Sequence, residues 1–212
     1  MNISRALVLA IAFGMAAASA RANFYTKVGA LYNTPTDLKI DNAAAFRSSL
    51  KSSLGYTASI GYKASLLRAE VEVQTMKNAA SGASNNAGGG LTASGAIKEY
   101  SAFVNGYLDV PSFFGLAPYV GVGLGEARID LDNFSAVHGA SNVVQLSGRG
   151  KANGYQIMGG LQFHVFGKAT VNAGYRIFHK GSFDAHNFAT NVRQTVNPGI
   201  DKLFEIGLAW GF

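Results

Sequence analysis

Apolar and polar residues alternate with a period of two over most of the chain. Phe24, Thr26, Val28, Ala30 and Tyr32 share one face, opposite Tyr25, Lys27 and Gly29. Leu54, Tyr56, Ala58, Ile60 and Tyr62 form the next apolar face, with Gly55, Thr57, Ser59, Gly61 and Lys63 opposite. After a minimal Ala64-Ser65 turn, Leu67, Ala69, Val71 and Val73 alternate with Arg68, Glu70, Glu72 and Gln74. Further alternating segments run from Glu99 to Val110, Pro118 to Gly125, Tyr155 to Val165 and Ala169 to Ile177. The eighth covers Leu203 to Phe212, where Phe204, Ile206, Leu208, Trp210 and Phe212 face away from Glu205, Gly207, Ala209 and Gly211. This period predicts strands; helical spacing of three or four fits poorly, because Glu70 and Glu72, or Gly121, Gly123 and Gly125, recur at two.

The connections alternate in length. Stretches of about twenty residues around Asn33–Ser53, Asn78–Gly95, Asp130–Asn153 and His179–Gly199 alternate with short turns at Ala64-Ser65, Pro111–Ala117 and Phe166–Lys168. Eight strands with long connections at one end and tight turns at the other fit an antiparallel up-and-down transmembrane β-barrel, all-β, with four long outer loops and short periplasmic turns. In such a barrel the large apolar face looks into lipid and the other face looks inward. Asp41–Leu54 contains Ala43-Ala44-Ala45-Phe46 and Leu50, which predict a short helix in the first outer loop, with Arg47 and Lys51 on one face.

Composition supports that assignment. Charged residues make up 14% of the chain and it contains 26 Gly, so it is poorer in charge and richer in glycine than an average soluble domain. Outside the N-terminus no apolar run approaches the length that a membrane helix needs. With no Cys there is no disulfide framework and no thiolate chemistry. The formal charge of +6 arises from scattered residues, without the clustered basic patch of a nucleic-acid module, so no nucleic-acid partner is expected.

Residues 1–22 read as a secretory signal peptide: Arg5 supplies the positive region, Ala6 to Ala18 the apolar stretch, and Ala20-Arg21-Ala22 the cleavage pattern. Cleavage removes Arg5 and Arg21 and no acid, which takes the charge from +6 to +4 and leaves residues 23–212 as the barrel domain.

Several segments resemble a known family. They are N-G-Y-L-D-V at Asn105–Val110, A-P-Y-V-G-V-G-L-G at Ala117–Gly125, G-Y-Q-I-M-G-G-L-Q-F at Gly154–Phe163, A-G-Y-R-I-F at Ala173–Phe178 and the terminal strand. Together they resemble the opacity-protein and major-surface-antigen family of eight-stranded outer-membrane barrels. The family's basic-aromatic ending is replaced here by Ala209-Trp210-Gly211 before Phe212. The resemblance implies a bacterial outer-membrane location and a surface antigen, adhesin or small porin. It also implies that Phe204, Ile206, Leu208, Trp210 and Phe212 act as the signal read by the barrel-assembly machinery.

Parity places Lys27, Lys63, Arg68, Glu70, Glu72, Glu99, Asp109, Arg176 and Glu205 toward the lumen. An eight-stranded interior is just wide enough to be filled by side chains. Two readings of this set stay open: an ion-selective pore, or structural ion pairs that plug the barrel. Gly121, Gly123 and Gly125 leave room for long neighbours. Glu126 and Arg128 fall on the outward parity, which places them beyond the hydrocarbon at the outer rim or calls for a bulge; Arg at the midplane would cost roughly 2–4 kcal/mol.

The chemical motifs are weak. Gly121-Val122-Gly123-Leu124-Gly125-Glu126 has Glu where a dinucleotide loop needs its third glycine, and Gly148-Arg149-Gly150-Lys151 lacks the P-loop spacing and hydroxyl. His138, His164, His179 and His186 lack metal-ligand spacing, so no metal and no cofactor is expected. His179, Ser182 and Asp184 are a nucleophile set only by residue type, with no evident oxyanion donor, and no catalytic residue or enzyme activity is assigned. Lys39, Arg149, Lys151, Lys180 and Arg193 supply dispersed loop cations that suit anionic lipopolysaccharide or a host-surface ligand. Outer-membrane lipid and the assembly machinery complete the expected partners.

Overall fold

A sheet whose strands are greasy on one face and polar on the other has unpaired hydrogen-bonding groups along two edges, and closing it into a barrel removes both. The computed structural model describes residues 22–41, 46–84, 90–138, 141–187 and 192–211 and shows that closure. Its strands are β1 (Ala22–Pro35), β2 (Leu38–Asp41), β3 (Phe46–Leu50), β4 (Ser53–Ala64), β5 (Leu67–Ser84) and β6 (Gly90–Asp109). They continue as β7 (Leu116–His138), β8 (Ser141–Phe166), β9 (Ala169–Lys180), β10 (Phe183–Asn187), β11 (Val192–Asn197) and β12 (Ile200–Gly211). Eight of them, β1, β4, β5, β6, β7, β8, β9 and β12, form a closed antiparallel circuit in which β12 returns to pair with β1.

The register fixes the slant of the strands. From Val28 the cross-strand partners run Ala58, Val73, Ala102, Glu126 and Asn153, whose carbonyl accepts a hydrogen bond from Gly181. In the other direction Val28 meets Leu208 and then Val171, ten residues from Gly181 on the same segment. A stagger of ten over eight strands corresponds to a tilt of about 40–45°.

The tight turns lie at one end. Ser65 and Leu66 join β4 to β5, Phe114 and Gly115 lie between β6 and β7, and Gly167 and Lys168 join β8 to β9. Phe114 and Gly115 both have positive φ, 51° and 80°, the twist that a two-residue hairpin turn prefers.

At the opposite end the expected long loops prove to be largely strand. β5 to β8 continue past the ends of their neighbours, and β2, β3, β10 and β11 complete a second closed circuit through the pairs β8–β10, β10–β11, β11–β2, β2–β3 and β3–β5. Two-residue breaks at Thr36-Asp37, Lys51-Ser52, Gly181-Ser182 and Pro198-Gly199 separate the short strands from those they extend. The break beside Pro198 is stitched, since Thr36 N donates to Ile200 O at 3.0 Å and Ile200 N donates to Thr36 Oγ1 at 2.8 Å. The helix expected within Asp41–Leu54 is corrected for its described part, since Phe46–Leu50 is strand β3, held between β2 and β5, while Ala43, Ala44 and Ala45 lie outside the described residues. Pairing on both sides satisfies its backbone better than an isolated helical turn would.

Outside the barrel the large side chains form a band. Tyr32, Tyr56, Tyr100 and Tyr155 mark its upper edge, and Phe24, Phe163, Phe166 and Trp210 its lower edge, all exposed. Phe24 to Tyr32 on β1 rises about 20 Å along the axis at this tilt, close to the apolar height of a transmembrane barrel.

Candidate functional site

The lumen is filled in layers. Nearest the tight turns, Lys63 on β4 contacts Asp109 on β6 at 2.6 Å, and Asp109 accepts from Arg68 Nε on β5 at 2.8 Å. Arg68 in turn reaches Glu70 at 3.2 Å. Lys27 on β1 lies 3.1 Å from Glu70, 3.8 Å from Glu72 and 3.2 Å from Glu205 on β12. Arg176 on β9 completes the chain, with Nη1 2.6 Å from Glu72 and Nη2 on Glu205. Four cations and four carboxylates therefore alternate along these contacts, from a partly exposed Lys63 to an Arg176 that is 1% exposed. Alternation matters because each buried ion loses water, and only opposite charge with well-placed hydrogen bonds offsets that loss.

Neutral donors add to the ion pairs at Glu70. Tyr25 donates to Glu70 at 2.5 Å, Tyr107 to the other Glu70 oxygen at 3.1 Å, and Ser59 to the same oxygen at 3.3 Å. Gln156 accepts from Arg176 and donates to Asn105 at 2.8 Å. The Arg68 guanidinium lies 4.3 Å from the centre of the Tyr107 ring, a cation–π contact. Small residues opposite make room for these rings: a Cβ at Gly121 would meet the Tyr107 ring, and one at Gly61 the Tyr25 ring.

Beyond the ions the lumen turns apolar. On five strands an inward position toward the far end changes character at once or soon after: Leu31 after Lys27, Met76 after Glu72, Phe178 after Arg176, Leu203 after Glu205 and Phe103 after Asn105. These five are buried, and Phe103 and Phe178 meet edge to face at 5.0 Å. A second ionic cluster follows, where Lys180 donates to Glu99 at 2.7 Å and Asp201 at 2.6 Å. Ser101 donates to Glu99 at 2.9 Å. Ile97, Ile129, Leu131, Ala152, Phe183 and Val196 then continue the apolar packing into the outer circuit.

All nine residues expected to face the lumen do so, and eight are at least nine-tenths buried; Lys63 alone is partly open at the mouth. Sequence reasoning missed Lys180 and Asp201, and Lys180 must be moved from the loop cations to the interior. The signal was present: Arg176, Phe178 and Lys180 share parity, as do Asp201, Leu203 and Glu205. Glu126 and Arg128 point outward on an unbroken register, above the tyrosine edge, without a bulge at that point. The nucleophile set does not assemble. His179 stacks on Tyr155 outside the barrel, Asp184 accepts from Thr195, and no hydrogen bond among the described residues joins either to Ser182. His164 lines the mouth and pairs with Thr170 at 2.9 Å. Phe204, Ile206, Leu208 and Trp210 are exposed on the outer face, while Phe212 and the expected signal segment through Arg21 lie outside the described residues.

Residues 6–193 match the family model described as the outer membrane protein beta-barrel domain. The chain belongs to that family. It is a bacterial outer-membrane protein, with the tight turns on the periplasmic side. Neisserial surface protein A shares the fold at 20% identity and a TM-score of 0.58, over 91% of this chain and 99% of that one. OprG from Pseudomonas aeruginosa does so at 14% identity and 0.60, over 90% and 95%. The outer membrane protein AlkL aligns at 16% identity and 0.55, over 91% and 90%. No curated protein matches the chain in sequence.

Proposed function

We propose that this protein is a non-conducting outer-membrane surface barrel that displays its outer strand circuit as a surface antigen or adhesin, without enzyme activity. The observation that carries the reading is the double closure of the lumen. A balanced ion-pair chain lies beneath the packed side chains of Leu31, Phe103, Phe178 and Leu203. Opening a path would expose buried charge on one side and apolar surface on the other. What reaches beyond the membrane is the ring of β2, β3, β10 and β11 with the upper halves of β5 to β8. In this reading the ring's partner is a host-surface ligand, and likeness to a protein named as a surface protein supports display.

The test has two arms. Liposomes carrying the purified protein are assayed for swelling in small sugars, and cells displaying it are assayed for attachment to host-cell layers. Attachment that disappears when β10 and β11 are replaced by a short turn, together with no swelling, supports the reading. Rapid swelling establishes the porin alternative.

A further inference from the structure

Three rows of cross-strand partners give the outer wall of β4 to β8 a character that the opposite wall lacks. The first runs Lys77, Lys98, Asp130, Arg149. The next runs Tyr56, Thr75, Tyr100, Arg128, Lys151, and the third Ala58, Val73, Ala102, Glu126, Asn153. All point outward by parity. Together they place five cations against two carboxylates, at and just above the tyrosine edge of the apolar band.

Size varies as sharply as charge along these rows. Thr75 sits between Tyr56 and Tyr100, and Ala58 and Ala102 flank Val73 beneath it. The result is an external groove of about 570 Å³, lined by Tyr56, Ala58, Val73, Thr75, Tyr100 and Ala102 and ending at Glu126 and Arg128. The lower part is apolar and faces the hydrocarbon, and the upper part is cationic at the depth of lipid headgroups. Arg128, Arg149 and Lys151 hold their carboxylates by single contacts, 3.5 Å and 3.1 Å to Asp130 and 2.8 Å to Glu126. Their side chains are 46%, 71% and 71% exposed, so their remaining donors face outward. On the far wall, by contrast, the outward residues at this height include Thr34, His179 and Lys202, with a single cation among the three.

We infer that this groove is a docking site for one phosphorylated, acylated lipid of the outer leaflet, namely lipopolysaccharide through its lipid A part. An acyl chain lies over Thr75 between the two tyrosines and continues past Val73. The phosphate meets Arg128 and Lys77, charge-assisted contacts that are stronger than neutral ones. Tyrosine suits the walls, since its ring packs against the chain while its hydroxyl stays at the polar boundary. The surrounding bilayer wets every barrel, but a groove with a cationic cap holds one molecule in one place.

Native mass spectrometry of the full chain in detergent, titrated with bisphosphorylated lipid A, reads this directly. One lipid should remain bound per barrel. The paired change Arg128→Glu with Lys77→Glu should weaken retention about a hundredfold, since each of the two lost charged contacts is worth roughly a decade. Thr75→Trp, which fills the groove while leaving the charges, should also weaken it. Lys202→Glu on the far wall should leave binding unchanged, and lipid A stripped of phosphate should bind the native protein as weakly as native lipid binds the charge variant. Both charge changes lie on the exposed outer face, and heat-dependent gel mobility confirms that each variant is folded. Equal retention by all variants, or equal competition by phosphatidylglycerol, means ordinary annular lipid and overturns the assignment.

Discussion

Arg176 on β9 and Glu72 on β5 meet across the barrel with Nη1 and Oε1 2.6 Å apart, although 104 positions separate them in sequence. Neither is more than 1% exposed, and Glu205 holds the other end of the same guanidinium. The contact ties opposite walls together beneath the apolar layer. Arg176→Met leaves two buried carboxylates with only Lys27 to balance them and should cost about 3–5 kcal/mol. Urea unfolding in lipid vesicles measures it. Adding Glu205→Gln removes one stranded charge, so the double variant should be more stable than the sum of the two single effects.

The apolar layer makes its own contribution. Phe103 and Phe178 are each 1% exposed or less and meet edge to face. Truncating Phe103 to Ala should cost about 3–5 kcal/mol, with little relaxation because closed strands cannot collapse inward. The same unfolding assay applies.

Gly121 faces Tyr107 from the neighbouring strand, and the ring occupies the volume a Cβ would need. Gly121→Val should displace Tyr107, break its hydrogen bond to Glu70 and lower stability by about 1–3 kcal/mol. Tyr107→Ala in the Gly121→Val background relieves the collision, so the penalty of Gly121→Val should shrink there.

The outward band should respond to depth. Val28→Arg, in the middle of the band, should cost about 2–4 kcal/mol, whereas Asn153→Arg, among the polar residues above it, should cost about 0–1 kcal/mol. Refolding yields into vesicles of fixed thickness give both values.

Legibility in the sequence followed how local each cause is. Side-chain parity is a property of one strand, so the inward set from Lys27 to Glu205 and the outward rows could be sorted without knowing any partner. Lys180 lies past Ile177, where the large apolar outward residues stop, so the alternation loses its contrast although Phe178 and Lys180 keep the inward parity. The outer circuit was hidden for a different reason. Its strands β2, β3, β10 and β11 have four to six residues each and gain their shape from pairing with segments far away in the chain. Ala43 to Leu50 carries residues that favour helix, and tertiary pairing overrides that preference at Phe46–Leu50. The groove between Tyr56 and Tyr100 depends on register across four strands, which no single-strand pattern contains.

The closed lumen is tested most directly by planar-bilayer recording of the purified, folded protein at high salt. A flat baseline at moderate voltage is the expected result for the wild type. Long-lived, uniform current steps from the wild type would contradict the sealed interior, because they require a path past both the Arg176 ion pairs and the Phe103–Phe178 layer.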